Sequence, residues 1–232
     1  MSTLTGTWRL TLVALRRDRV KLLVWIVGIA LITLGMASTM LSEYPTAAER
    51  QIAATLIANS PGLLIIRGAA PAISPGGLAL SEGTVFWGIF AALMSILAVI
   101  RHTRQNEETG RAELVGSGVV SRYAGLIAAL IVAVAANILL AGLVSLVLIA
   151  KNLPLEGSLA AGIGIGAVGI AYAAIAAVAA QMFESTRTAS GLAVSILGVT
   201  YLLRGVGDAL GTVRADGATI SSAWPSWLSP IG

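Results

Sequence analysis

Long, uninterrupted runs of apolar residues dominate the hydrophobic pattern of this chain. Crossing about 30 Å of hydrocarbon takes about 20 helical residues, and five of the runs approach or exceed that length. Polar and charged residues gather between the runs, as they do at the ends of membrane spans. The pattern predicts an all-α fold, a polytopic transmembrane helical bundle forming one domain over residues 1–232, with spans at 22–41, 84–100, 123–150, 159–183 and 189–210.

The basic residues predict how these spans are oriented. With the N-terminus inside, ten arginines and lysines fall in cytoplasmic segments and five fall on the outer side. Because cytoplasmic loops carry an excess of Lys and Arg, this distribution favours a cytoplasmic N-terminus. All seven prolines fall in outer segments, so none interrupts a predicted span.

An amphipathic helix is predicted over residues 3–20, ahead of the first span. Its apolar positions lie on one helical face and are Leu4, Trp8, Leu12 and Leu15. We expect this helix to lie in the cytoplasmic interface of the membrane, with Trp8 as an anchor. The alternative is that these residues are the irregular start of the first span.

Two outer segments are predicted. Residues 42–83 are too many for a simple turn, and residues 47–59 within them have helical character up to the breaker Ser60-Pro61-Gly62. A short helix on the outer interface is therefore expected there. Residues 211–232 are predicted to form a second, irregular outer segment.

Composition excludes several functional classes. Apolar residues make up 56% of the chain and charged residues only 11%, whereas about a quarter of a soluble domain is charged. The net charge is +4, but the basic residues lie at span ends rather than in a patch, so no nucleic-acid partner is expected.

Catalytic chemistry has few candidate residues in this sequence. It contains no cysteine, His102 is its only histidine, and neither lysine belongs to a phosphate-binding Gly-x-x-x-x-Gly-Lys-Ser/Thr loop. We therefore expect no catalytic residue, no metal site and no cofactor in this chain.

The stretch between the second and third spans, residues 101–122, is called the docking segment here. It holds three carboxylates and four arginines in 22 residues, which is more charge than topology requires. Glu107 and Arg111 are four positions apart with the acid first, the favourable order for a helical ion pair. The pattern predicts a compact, charged protrusion that binds a cytosolic partner, and a solvated loop is the simpler alternative.

Three motifs, in their order along the chain, resemble the type 2 ABC transporter permeases, and in particular the actinobacterial polyketide-antibiotic exporter branch. They are Glu-Glu-x-Gly-Arg-x-Glu at 107–113 with Val-x-Ser-Arg at 119–122, Tyr-x-x-Arg-x-x-x-Asp at 201–208, and Trp-Leu-Ser-Pro-Ile-Gly at 227–232. The resemblance covers the whole chain in order and corresponds to a six-span N-terminal half without its last span. The family pattern has a sixth span after the motif at 227–232, and this sequence is expected to be a fragment or a split half because it lacks that span.

The resemblance implies the ABC-2 type exporter transmembrane domain, a permease that moves hydrophobic or amphipathic molecules, such as antibiotics and drugs, out of a bacterium through its plasma membrane. ATP and Mg would be bound by a separate cytosolic ABC ATPase dimer, pressing on the docking segment as a coupling loop. The other implied partners are a second transmembrane half or a second permease copy, the lipid bilayer and a hydrophobic small-molecule cargo. The residues implied in coupling are Glu107, Glu108, Gly110, Arg111 and Glu113.

Two further groups of residues have predicted roles. Arg204 and Asp208 lie one helical turn apart at the outer end of the fifth span, where they are predicted to form a gate or an anchor; a structural ion pair is the alternative. Gly162, Gly166 and Gly169 form a small-residue face that predicts close helix packing, with a substrate-lining role as the alternative.

The polar content of the spans bears on the choice between transporter classes. Asn137 and Gln181 are the main strongly polar side chains inside the predicted spans, and both are expected to form interhelical hydrogen bonds. The first four predicted spans contain no Asp, Glu, Lys, Arg or His, whereas ion-coupled carriers usually place such residues within spans. An ion-coupled secondary transporter or channel component is therefore the second hypothesis, and a non-transporting scaffold is the third.

Overall fold

The computed structural model describes residues 6–68, 74–104, 108 and 123–213. The helices that lie wholly within these residues are α1 (Thr7–Glu43), α2 (Ala47–Ala58), α3 (Pro61–Arg67), α4 (Pro75–His102), α5 (Ala124–Ala150), α6 (Leu155–Met182) and α7 (Thr186–Val213). Five described stretches are long and apolar enough to cross a membrane: all of α1, α5 and α6, Gly83–His102 of α4 and Thr186–Ala209 of α7. The all-α prediction is confirmed, and the chain is a multi-pass membrane protein.

The helices contribute to two compact units. The first contains Met1–Gly28, Phe90–Leu139 and Gly166–Leu197, and the second contains Ile29–Ile89, Leu140–Ile165 and Gly198–Gly232. Alanine is prominent in the core of the first unit, where Ala91, Ala129 and Ala176 are fully buried. The second unit also buries large side chains, including Trp87 and Leu148. Small core residues allow helix backbones to approach closely in a membrane.

α1 is one continuous helix of 37 residues, where the sequence predicted an interfacial helix at 3–20 and a separate span at 22–41. The physical reason lies in residues 16–23 at their junction, which are largely arginine, lysine and leucine, all good helix formers. No glycine or proline falls between Trp8 and Val27 to break it. At 1.5 Å per residue α1 is about 55 Å long, so it extends well beyond the hydrocarbon.

The first turns of α1 are buried on a face that the apolar stripe did not predict. The buried positions recur at helical spacing and are Thr7, Thr11, Ala14, Asp18 and Leu22. The predicted stripe lies at the protein surface, with Trp8 68% and Leu15 44% exposed, and its place in the membrane interface stays a prediction. α1 therefore packs through mainly small and polar side chains, which permit close approach.

Two short helices follow α1, and a capping box starts the first of them. The hydroxyl of Thr46 accepts a hydrogen bond from the Glu49 N–H at 3.3 Å, and the Glu49 carboxylate accepts one from the Thr46 N–H at 2.9 Å. α2 then ends at Ala58, close to the predicted end of the outer helix. α3 begins at Pro61, because proline suits the first position of a helix. The predicted breaker thus ends one helix and begins the next.

The other predicted spans, at 84–100, 123–150, 159–183 and 189–210, fall on α4, α5, α6 and α7. α4 begins earlier than its predicted span, at Pro75, which again occupies a first helical position. The turn from α5 to α6 is tight and includes Asn152 with φ of 60°, a left-handed conformation that asparagine tolerates better than most residues.

Candidate functional site

A buried ion pair joins α1 to the last turn of α4. Nη1 of Arg101 donates a hydrogen bond to Oδ2 of Asp18 at 2.7 Å. Nε2 of His102 lies 3.0 Å from the same oxygen. The Asp18 side chain is 1% exposed and that of Arg101 is 19% exposed. The pair therefore holds α1 and α4 together where the docking segment begins.

The position of Asp18 is energetically demanding. Its second oxygen, Oδ1, is buried and has no hydrogen-bond partner among the described residues. A carboxylate loses much of its hydration on burial, and an oppositely charged partner offsets only part of that cost. Such pairs contribute little to net stability but can fix which side chains face each other.

Further along the docking segment, two described residues bind helix ends. Nε of Arg104 donates a hydrogen bond to the carbonyl of Ala180, in the last turn of α6. The Glu108 carboxylate accepts hydrogen bonds from the N–H of Thr186 at 2.6 Å and from its hydroxyl at 2.7 Å. A cation thus lies at the C-terminal end of α6 and an anion at the N-terminal end of α7, where the helix dipoles favour them.

The start of α7 is well supplied with hydrogen-bond acceptors. Oγ of Ser185 accepts a bond from the N–H of Thr188 at 3.1 Å, as an N-cap serine does. Together with Glu108, it pairs N–H groups that the helix itself leaves unpaired. The backbone and hydroxyl hydrogen bonds from Thr186 hold the pKa of Glu108 below its ordinary value. Glu108 is therefore ionised at neutral pH.

The structure describes Glu108 alone among the five predicted coupling residues. Glu107, Gly110, Arg111 and Glu113 lie outside the described residues, as does the motif at 227–232. Glu108 meets Thr186, which lies 78 positions later in the chain. The sequence analysis did not predict this contact.

Asp18, Arg101 and His102 form the part of the site that sequence reasoning missed. A signal was available, because Asp18 is the only acidic residue among the first 42 and shares a helical face with Thr7 and Thr11. That face is polar and small, so apolar periodicity did not identify it. The first four spans lack ionisable residues only within their predicted bounds, since α1 includes Asp18 and α4 ends with Arg101 and His102.

Arg204 forms a second polar cluster, in the second unit. Its Nη1 donates to Oδ2 of Asp208 at 2.6 Å, and its Nη2 donates to the carbonyl of Ile65 at 2.7 Å. The guanidinium also lies 5.2 Å from the ring centre of Tyr201. A Cβ on Gly205 would lie 3.1 Å from the Ile65 carbonyl oxygen, so glycine suits this close approach. These contacts tie α3 to α7, and the gate role of Arg204 and Asp208 stays a prediction.

Gly162 brings the backbone of α6 against α5. A Cβ at this position would overlap the hydroxyl of Ser145 and the carbonyl of Ala141. Gly166, one turn further along α6, is also buried. Small residues at this spacing are typical of closely packed membrane helices.

Gly169 lies against the side-chain amide of Asn137, where a Cβ would overlap the amide group. Nδ2 of Asn137 donates to Oγ of Ser95 on α4 and to the carbonyl of Ala133 on its own helix, both at 2.8 Å. The predicted interhelical hydrogen bond of Asn137 is confirmed. Gln181 is exposed, and its interhelical role stays a prediction.

An open apolar groove of about 340 Å³ lies between α6 and α7 in the first unit. Val178, Met182 and Leu192 are among its lining residues, and this volume is in the range of small-molecule sites. In the described part of the chain no three His, Asp or Glu side chains lie together, so no metal-holding residues can be named there.

No family model matches the chain. The chain is similar to a protein of Mycobacterium tuberculosis named multidrug efflux system permease protein. The two are 38% identical over 230 residues, which is 98% of this chain and 40% of that protein. The chain therefore spans about 40% of the length of the curated relative that it matches.

Proposed function

We propose that this chain is a transmembrane permease subunit, or one part of such a subunit, of an ATP-driven ABC exporter. Its cargo is hydrophobic or amphipathic small molecules such as antibiotics and drugs. The observation that carries the proposal is the similarity to a multidrug efflux permease over 98% of the chain. The five apolar helices and the resemblance to type 2 ABC permeases support the same function.

ATP hydrolysis belongs to a separate partner in this proposal. A dimer of cytosolic ABC ATPase subunits binds ATP and Mg, and a second transmembrane half or a second permease copy completes the translocation path. The apolar groove between α6 and α7 suits an apolar cargo rather than an ionic one.

The proposed orientation places the N-terminus in the cytoplasm of a bacterium, with the spans in its plasma membrane. The contacts support a common side for the start of α1, the ends of α4 and α6 and the start of α7. Asp18 meets Arg101, Arg104 meets Ala180, and Glu108 meets Thr186. Successive spans that cross in alternate directions bring these same ends to one side, which the excess of basic residues marks as cytoplasmic.

The docking segment is the proposed contact with the ATPase. Charge complementarity can fix the register of a short docked segment, and ties from Arg104 to α6 and from Glu108 to α7 can pass its movement to the spans. The residues proposed to bind the ATPase are Glu107, Glu108, Gly110, Arg111 and Glu113.

Ethidium efflux from cells of the native host tests the proposal. Cells lacking the chain should retain ethidium, and the restored gene should recover export. Reversing the charge in Glu108→Arg or Arg111→Glu is expected to slow export about tenfold, with unchanged protein in the membrane, because docking is lost. Glu43→Arg is the matched control, since Glu43 is an exposed carboxylate in the second unit. Normal export by both docking variants would defeat the proposal.

An ion-coupled carrier is the second candidate function, and the burial of Asp18 in α1 is the observation in its favour. Ionisable groups within spans are typical of such carriers, although pairing with Arg101 is also what a structural link requires. A protonophore separates the two functions when fermentation maintains cellular ATP. ATP-driven export persists under this treatment, whereas proton-coupled export stops.

A further inference from the structure

Asp18 differs from every other charged side chain of α1. It is buried, whereas Arg9, Arg16, Arg17, Arg19, Lys21 and Glu43 are exposed. We propose that Asp18 is a positioning residue that makes α1 and the root of the docking segment, residues 101–104, move as one body. A push from the ATPase on the segment then reaches α1. This inference rests on the proposed function and deepens it.

Two basic side chains converge on one oxygen of Asp18. Arg101 and His102 are the last two residues of α4, and both place a nitrogen within 3.0 Å of Oδ2 of Asp18. Cationic side chains are favoured at the C-terminal end of a helix, and the carboxylate supplies the opposite charge from α1. The hydrogen bond from Arg101, with the buried imidazole of His102 packed beside the same oxygen, fixes the end of α4 along the axis of α1.

Packing also holds α1 near this point. The buried positions one turn to either side of Asp18 are Ala14 and Leu22, and Thr11 is the next buried position towards the N-terminus. On that N-terminal side the buried side chains are small and offer little resistance to sliding, whereas a buried ion pair resists it, because displacement by one turn would leave its charges buried and unpaired. The link at Asp18 therefore adds to the register that Leu22 sets on the other side.

Three described residues between positions 101 and 108 contact other helices. Arg101 binds α1, Arg104 binds the end of α6, and Glu108 binds the start of α7. A segment tied to three helices within so few residues cannot move far without moving them. Discrete rigid-body shifts of packed helices are a common way to pass such a movement on. Without Asp18 the contacts with α6 and α7 would remain, but movement of the docking segment would no longer be passed to α1.

The test uses the complete native transporter, purified from host membranes and reconstituted in liposomes, with ethidium as the transported probe. Asp18→Asn keeps the shape of the side chain and removes its charge. We expect the ATPase to co-purify as before and to hydrolyse ATP within about twofold of the wild-type rate, while ethidium moved per ATP falls about tenfold. Arg16→Gln, an exposed change on the same helix, should leave this ratio unchanged.

A charge-swapped variant supplies a rescue. Asp18→Arg combined with Arg101→Asp keeps an ion pair between α1 and α4 and should recover most of the lost ratio. Normal coupling in Asp18→Asn would overturn the inference, and so would a folded swap without recovery. A wild-type preparation with neither ATPase nor ATP-driven export would instead remove the proposed function itself.

A distance measurement tests the inference with the ion pair intact, even if the variants of Asp18 fail to fold. The chain has no cysteine, so Arg16→Cys on α1 and Leu97→Cys on α4 can carry spin labels at exposed positions. Under the inference the distance between these labels stays constant when ATP and vanadate are added. A change of about 5 Å or more, one helical turn, would overturn it.

Discussion

The Asp18–Arg101 and Asp208–Arg204 pairs share their chemistry and differ in their settings. The first joins residues 83 positions apart, and its carboxylate is 1% exposed. The second joins residues four positions apart, and its carboxylate is 28% exposed. Their N–O distances are almost the same, at 2.7 and 2.6 Å. Distance therefore does not distinguish them, whereas burial and the helices they connect do.

The difference also concerns which part of each pair makes the link between helices. In the first pair the charged groups themselves connect α1 to α4. In the second pair both residues belong to α7, and the connection to α3 runs from Arg204 to the carbonyl of Ile65. Removing a carboxylate should therefore break the first link and spare the second.

The largest effect is expected from Arg101→Gln. Removing Arg101 leaves the buried Asp18 carboxylate without its hydrogen-bonded cation, which costs about 3 kcal/mol of stability or more. The thermal unfolding midpoint of the detergent-purified protein measures the loss. Arg16→Gln, exposed on α1, should change stability by less than about 0.5 kcal/mol. Equal unfolding midpoints for the two variants would show that breaking the buried pair costs no more stability than an exposed substitution.

Glycine substitutions in α6 should come next and should affect both units alike. Gly162→Ala and Gly169→Ala each force a methyl group into occupied space on α5, for which overpacking costs of about 1–3 kcal/mol are typical. Gly164→Ala is the control, since its Cβ would meet no atom within 4 Å. If Gly162→Ala and Gly169→Ala lose similar stability, helix packing is alike in the two units, and the contrast between them lies in their ion pairs. A loss as large for Gly164→Ala would contradict the packing account.

Asp208→Asn is expected to cost less than about 1 kcal/mol, because partly exposed pairs within one helix contribute little. The guanidinium of Arg204 would keep the Ile65 carbonyl and the Tyr201 ring as partners. Arg204→Gln should therefore cost more than Asp208→Asn in the same unfolding measurement. An equal loss of stability in Asp208→Asn and Arg101→Gln would contradict the difference between the two ion pairs.

The smallest effect is the pH dependence of the contact between Glu108 and Thr186. The pKa of Glu108 is lowered from an ordinary value of 4.5 in the folded protein. Its contribution is therefore fully present above pH 4.5 and is lost as the pH falls through the folded pKa. Hydrogen exchange of the Thr186 amide, corrected for intrinsic rates, should show protection that falls as the pH passes below the folded pKa of Glu108. Glu108→Gln should lack this transition, and its persistence there would assign the effect to another group.

The residues that sequence reasoning predicted well act locally. The spans follow from runs of about 20 apolar residues, and the end of the outer helix follows from the breaker Ser60-Pro61-Gly62. Arg204 and Asp208 were visible together because they lie one helical turn apart. The continuity of α1 was predicted only as the alternative, because its arginines mark a membrane boundary in sequence, although they are also good helix formers.

The contacts of the docking segment could not be predicted in this way. Asp18 is 83 positions from Arg101, and Glu108 is 78 from Thr186. Neither pair follows a helical period, so only the packing of the helices brings them together. Asp18, the only acidic residue among the first 42, was the available clue. Its role could be recognised only once its partner on α4 was known.

The central claim is that this chain works with a separate ATPase through the docking segment. Purification from native membranes in mild detergent, followed by identification of co-purifying proteins and an ATPase assay, tests it most directly. We expect a phosphate-binding-loop ATPase in stoichiometric amount, and we expect Arg111→Glu to lose it while the Glu43→Arg control retains it. A clean preparation without ATPase or nucleotide-dependent activity would contradict the account.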